Sequence, residues 1–70
     1  MFDYKELKLQ IKRVFDTQDA FAEAMGMSKT ALNLRLNCKV WWKNCEIYKA
    51  CNLLGIPIHD SEIYFFKQKV

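Results

Sequence analysis

The side chains with most chemistry to offer in this sequence are three cysteines, one histidine, two adjacent tryptophans and a lysine stripe. Cys38, Cys45 and Cys51 contain no Cys-x-x-Cys pair, the clustering that a tetrahedral zinc site normally shows, so no metal is expected. Cys51 falls on an apolar stripe and reads as a small core residue, while Cys38 and Cys45 bracket a loop. A structural disulfide does not suit the reducing cytosol in which this chain is expected to work. His59 stands beside Asp60 with no nucleophile pattern near it, and reads as a turn residue ahead of a helix. Neither a glycine-rich phosphate loop nor a paired acidic motif is present. These patterns argue against an enzyme, a cofactor or a small-molecule substrate. Lys5, Lys8 and Lys12 share one helix face, read as a solvated stripe or, alternatively, as a row of phosphate contacts. Trp41 and Trp42 invite a binding role, because tryptophan is enriched at interface hot spots. The competing reading tucks one of them into the core and leaves the other over the loop.

Helices must position these groups. Asp3 and Glu6 have the spacing of a capping-box variant, with Phe2 and Leu7 as its hydrophobic staple. Tyr4, Leu7, Ile11 and Val14, with Phe15, then mark the apolar face of a first helix that ends near Phe15. Thr17 is a natural cap for a second helix, on which Phe21 and Met25 share a face and Ala22 lets a neighbour approach. Gly26 suits a left-handed helix end. Ser28 caps a third helix, and Met27 and Leu32 stand at staple spacing. Two short helices with a three-residue break make a helix-turn-helix over residues 17–37, and neither would be stable alone. Beyond a loop at residues 38–43, Ile47, Ala50, Cys51 and Leu54 form a clean helical stripe with Asn44 as its cap. Gly55 and Pro57 end it. Asp60 can cap a last short helix over residues 61–66, where Tyr64, Phe65 and Phe66 seal the core or form a dimer surface. At least one of the two phenylalanines belongs to the core. No stretch alternates as a strand does, so the expected fold is all-α: one domain over residues 1–70, compact, with four to five helices.

Size and charge narrow the class. Seventy residues bury only about 60% of their unfolded surface, so most apolar positions are committed to the core. A 51% apolar and 14% aromatic composition is ample for that. The net charge of +3 permits nucleic-acid binding without demanding it. No signal-peptide pattern opens the sequence and no apolar run exceeds four residues, so the expected place is the cytoplasm, with no membrane contact.

The residues that carry the helix-turn-helix also carry a resemblance. Gln18, Phe21, Ala22, Met25, Gly26, Met27, Ser28 and Leu32, followed by Leu36, Asn37 and a lysine, resemble the lambda-repressor/Cro type of helix-turn-helix. More narrowly, the opening Met1-Phe2-Asp3-Tyr4-Lys5 is similar to that of small repressor-like proteins from phages of Gram-positive bacteria. The same holds for Glu46-Ile47-Tyr48-Lys49, Leu53-Leu54-Gly55-Ile56 and Tyr64-Phe65-Phe66. The resemblance implies that residues 29–36 form a recognition helix in the major groove, with Ser28, Lys29, Thr30 and Asn33 facing base edges. It implies phosphate contacts from Gln18, at the start of the second helix, and from Asn37, Lys39 and Lys43 around the recognition helix. Lys29 can donate to guanine, Asn33 can pair with adenine and Thr30 can meet a base or a thymine methyl.

Four departures from the family pattern cluster beside the expected DNA-facing surface. Cys38 replaces a usual glycine, where a left-handed backbone would cost about 1 kcal/mol or more. Arg35 takes a commonly apolar position, so Leu34 and Leu36 are expected to share the packing. Lys43 replaces a capping hydroxyl, which moves the expected cap to Asn44. Trp41 and Trp42 replace polar sequence. Two functions follow. The first is a sequence-specific double-stranded DNA-binding transcriptional regulator, a Cro-like or repressor-like phage switch component, acting as a homodimer. The alternative is an antirepressor or inhibitor on the same fold that captures a repressor or host protein, with Trp41, Trp42, Tyr64, Phe65 and Phe66 as its interface.

Overall fold

In the computed structural model, which describes residues 1–70, five α-helices follow one another. They are α1 (Lys5–Phe15), α2 (Gln18–Met25), α3 (Lys29–Leu36), α4 (Asn44–Leu54) and α5 (Ser61–Phe65), with a 3-10 turn at Ile58–Asp60. The fold is all-α, as its apolar periodicities require. Its only extended pairing is a single antiparallel bridge between Phe2 and Gln68.

The central pair forms by the capping chemistry expected of it. Thr17 Oγ1 accepts from the Ala20 N–H at 3.1 Å, and Ser28 Oγ accepts from the Ala31 N–H at 3.0 Å. Gly26 takes φ +75°, which frees it to end α2 where a Cβ would be strained. Residues 26–28 therefore hold α2 and α3 at a fixed angle, with Phe21, Ala22 and Met25 on one side and Leu32 and Leu36 on the other entering one core. That core is a single cluster of fifteen buried apolar side chains with no buried charged residue in it.

Several local expectations are corrected. α1 starts one residue later than an Asp3 cap would place it, because residues 1–3 pair with the other end of the chain. Asp3 N–H donates to Lys67 O at 2.7 Å and Lys69 N–H donates to Met1 O at 2.9 Å. Asp3 Oδ1 instead accepts from the Lys5 N–H at 3.0 Å, and no capping box with Glu6 forms. Val14 is exposed, and Phe15 takes its place by packing on Phe21 with ring centres 5.4 Å apart. At the head of α4 the cap is Lys43 and not Asn44: Glu46 Oε1 reaches back to accept the Lys43 N–H at 2.9 Å. A lysine side chain has no acceptor to return, so this is half of a capping box. Asp60 stands at the start of α5, yet its carboxylate caps nothing and lies 3.7 Å from His59 Nε2.

Two backbone strains were open to different degrees in the sequence. Cys38 takes φ +61° and completes a Schellman end on α3, with its own N–H on Arg35 O and that of Lys39 on Leu34 O. The left-handed residue foreseen there is present, and it is not a glycine. Asp16, between α1 and α2, has φ +69° and ψ −42° while Thr17 N–H donates to Phe15 O at 2.7 Å. That is a strained γ-turn, and nothing about an aspartate signals it.

Candidate functional site

The outer face of α3 is built from short polar side chains. Thr30, Asn33, Leu34, Asn37 and Lys39 line a shallow open depression there. Ser28 spends its oxygen on the α3 cap. Asn37 Nδ2 donates to Asn33 O at 2.9 Å, which turns its amide back onto the helix. Lys29 reaches across to Asp19 of α2 at 3.0 Å, an exposed pair of little energetic worth that still halves the charge offered outward.

Arg35 does not project outward at all. Its Nε and Nη2 donate to the two carboxylate oxygens of Glu46, each at 2.9 Å, and Nη1 donates to Ala31 O at 2.9 Å. Both side chains are largely buried, so this fork ties α3 to the head of α4. Burial pushes the Glu46 carboxyl up, but the Arg35 hydrogen bonds, the Lys43 N–H and the two cationic charges outweigh it and hold it below its ordinary value. Packing is thus not shared between Leu34 and Leu36. Leu36 is buried, Leu34 lies 39% exposed, and Arg35 sits between them as a strut. Both cations of α3 are consequently paired with carboxylates.

The tryptophans separate. Trp42 is buried and meets Phe65 edge to face, ring centres 5.2 Å apart. Its Nε1–H is buried without a hydrogen-bond partner. Trp41 is 73% exposed. As interface candidates Trp42 and Phe65 are therefore corrected, since neither ring reaches the surface, and Tyr64 is half-buried against the core. Trp41 and Phe66 remain outside. Between them stands Phe2, which the sequence reading passed over as a contact residue: its ring lies edge-on to Trp41 and to Phe66, 5.7 Å in each case. Phe2 is held by the bridge to Gln68, and its carbonyl accepts a hydrogen bond from Cys38 Sγ at 3.3 Å. An exposed aromatic ridge thus crosses the place where the two ends of the chain and the α3–α4 loop meet. No periodic pattern marks Phe2, which is why only the structure places it here.

The expected phosphate-binding residues divide. Gln18 opens α2 and lines a groove along α1 together with Lys5, Lys8, Lys12 and Lys69. Asn37 borders both that groove and the depression over α3. Lys39 joins the depression, and Lys43 stands exposed at the head of α4. No three histidine, cysteine or acidic side chains come together as a metal cage would require. No helix is long and apolar enough to cross a membrane.

The chain belongs to the DUF739 family, described as "Protein of unknown function (DUF739)", whose model matches residues 1–68. It is similar to the solution structure of the modulator of repression (MOR) of the temperate bacteriophage TP901-1 from Lactococcus lactis, with 43% sequence identity and a TM-score of 0.84. That match covers 99% of this chain and 93% of the other. No curated protein sequence matches it.

Proposed function

We propose that this chain is a modulator of repression in a temperate-phage switch, acting in the bacterial cytoplasm by docking on a repressor protein. The observation that carries this reading is the ridge of Trp41, Phe2 and Phe66, in which Trp41 and Phe66 are exposed and Phe2 stands half-buried between them, in a chain small enough to need such rings inside. An exposed indole gains much from a protein pocket and little from a duplex whose bases are already stacked. The likeness to a protein described as a modulator of repression supports the same role.

A second reading rests on the depression over α3. In a helix-turn-helix of the repressor type, Ser28, Lys29, Thr30 and Asn33 would read bases while Gln18, Asn37, Lys39 and Lys43 held phosphates, in a homodimer on a palindromic operator. The pairing of Arg35 with Glu46 weighs against it, because that buried fork withdraws one of the two α3 cations from a polyanion.

Two assays on one set of variants separate the readings. The chain is mixed with the repressor of its own phage and with that phage's operator DNA, as wild type, Trp41→Ala, Phe66→Ala, Thr30→Ala and Asn33→Ala. Loss of the repressor complex by more than about tenfold for the aromatic variants alone supports docking. Retardation of the operator by the chain by itself, weakened by about 1–3 kcal/mol in Asn33→Ala and untouched in Trp41→Ala, would overturn docking in favour of base reading.

A further inference from the structure

The ridge also carries information about what fits it. We infer that its occupant is a helix with an apolar stripe flanked by acidic side chains, an inference that rests on the docking reading above. Length sets the first constraint. The ridge is at most two steps of 5.7 Å long. Seven residues of α-helix rise about 10.5 Å, so a stripe at i, i+3 or i+4, and i+7 is the longest that this ridge can accommodate.

Charge sets the second constraint. Lys39 and Lys43 lie on either side of Val40, Trp41 and Trp42 in sequence, and Lys67 and Lys69 lie in the terminal segment that pairs with residues 1–3. All four are exposed, and none lies within ion-pair distance of a carboxylate. Three carboxylates belong to this end, of which Glu46 is already held by the Arg35 guanidinium and the Lys43 N–H. Asp3 is engaged by the Lys5 N–H, and Glu62 shares a depression with Phe66 and Lys67. Lys69 and Lys67 line the depressions beside Phe2 and Phe66, and Lys39 and Lys43 flank Trp41 in sequence, so four unpaired lysines stand against two acids that no guanidinium neutralises. A partner face that is basic, as a DNA-reading surface is, meets like charge here. So does a second copy of this chain set ridge to ridge, which would bring the same lysines together. An acidic helix face alone satisfies both the rings and the rim.

The test uses three synthetic helical peptides and the isotope-labelled full chain. One peptide carries a Leu and Phe stripe flanked by Glu, the second the same stripe flanked by Lys, and the third the Glu flanks with the stripe replaced by Gln. The Trp41 indole N–H resonance is the reporter, and that of buried Trp42 is the internal reference. The first peptide is expected to move Trp41, Phe2 and Phe66 and to bind about tenfold more tightly than the second, as several rim pairs of modest worth would give. That preference should shrink at about 0.5 M salt and reverse in the triple variant Lys39→Glu, Lys67→Glu, Lys69→Glu. Equal binding of the Glu- and Lys-flanked peptides overturns the charge rule. Equal binding of the stripeless acid peptide overturns the helix stripe, leaving only a site for polyanions. Self-association of the chain that Trp41→Ala abolishes would make a second copy the occupant. Trp41→Ala also separates the two levels of inference. If the Glu- and Lys-flanked peptides bind the wild type alike and Trp41→Ala weakens both, the docking reading stands and the acidic partner falls. If it leaves the first peptide's affinity unchanged, the docking reading itself falls.

Discussion

Asp16 holds a γ-turn that a side chain disfavours, and the strain has no hydrogen bond from its carboxylate to offset it. Asp16→Gly should therefore raise stability by up to about 1 kcal/mol, the strain relief exceeding the added freedom of the unfolded chain. A urea midpoint that falls on substitution would show that the turn is not the strained element. Glu46 gives the second prediction at this scale. Its folded-state carboxyl titrates below the ordinary 4.5, so the stability it contributes is whole above that pH and is lost as pH falls through the depressed value. Arg35→Ala should cost about 2–3 kcal/mol at neutral pH, since it strands a largely buried carboxylate. It should also flatten the acid side of the stability curve below 4.5, which denaturation midpoints measured across pH will read directly.

Among the elements, legibility followed distance along the chain. Caps at Thr17 and Ser28, the left-handed ends at Gly26 and Gly55 and the buried stripe of α4 all arise from residues within a turn or two of each other, and each could be read directly, whereas the left-handed Cys38 was suggested only by the glycine usual in the family. Arg35 and Glu46 stand on different helices, eleven positions apart, and no local pattern pairs them. The same limit hid Phe2, whose partners come from a loop and from α5's far end. The tryptophan pair was legible as a division of labour but not as an assignment: adjacent residues point apart, and only packing against Phe65 decides which one turns in. That packing leaves an unpaired indole N–H. Trp42→Phe should thus cost under about 2 kcal/mol, because it discards a buried unsatisfied donor along with the lost volume, whereas Trp42→Ala should cost about 3–5 kcal/mol. A Phe variant as damaged as the Ala variant, in thermal melts run side by side, would mean that the indole N–H has a partner in solution.

At the scale of the molecule, fifteen apolar side chains, twelve from the five helices with Tyr4, Trp42 and Ile56 from the connections, make one core, and the function proposed for it lies outside that core. The surface with most binding potential is anchored by residues 1–3 against residues 67–69, through the two backbone hydrogen bonds that make up the Phe2–Gln68 bridge. So slight a two-stranded pairing is marginal in water without the aromatic packing it supports. Closing it joins positions separated by nearly the whole sequence, the most expensive loop this chain can form in entropy. The order of events on folding follows. α2 and α3 associate through near neighbours, the core condenses, and the ridge is completed last. Substitutions at Phe2 and Gln68 should speed unfolding and leave the folding rate nearly untouched, with φ-values near zero. On the return path the ridge is the first part to go. The Asp3 and Lys69 amides should accordingly exchange with solvent far faster than those of Leu7 or Ile11, through openings that never disturb the helices. A surface that melts ahead of its scaffold makes partner binding responsive to temperature over a range in which the rest of the molecule is still folded.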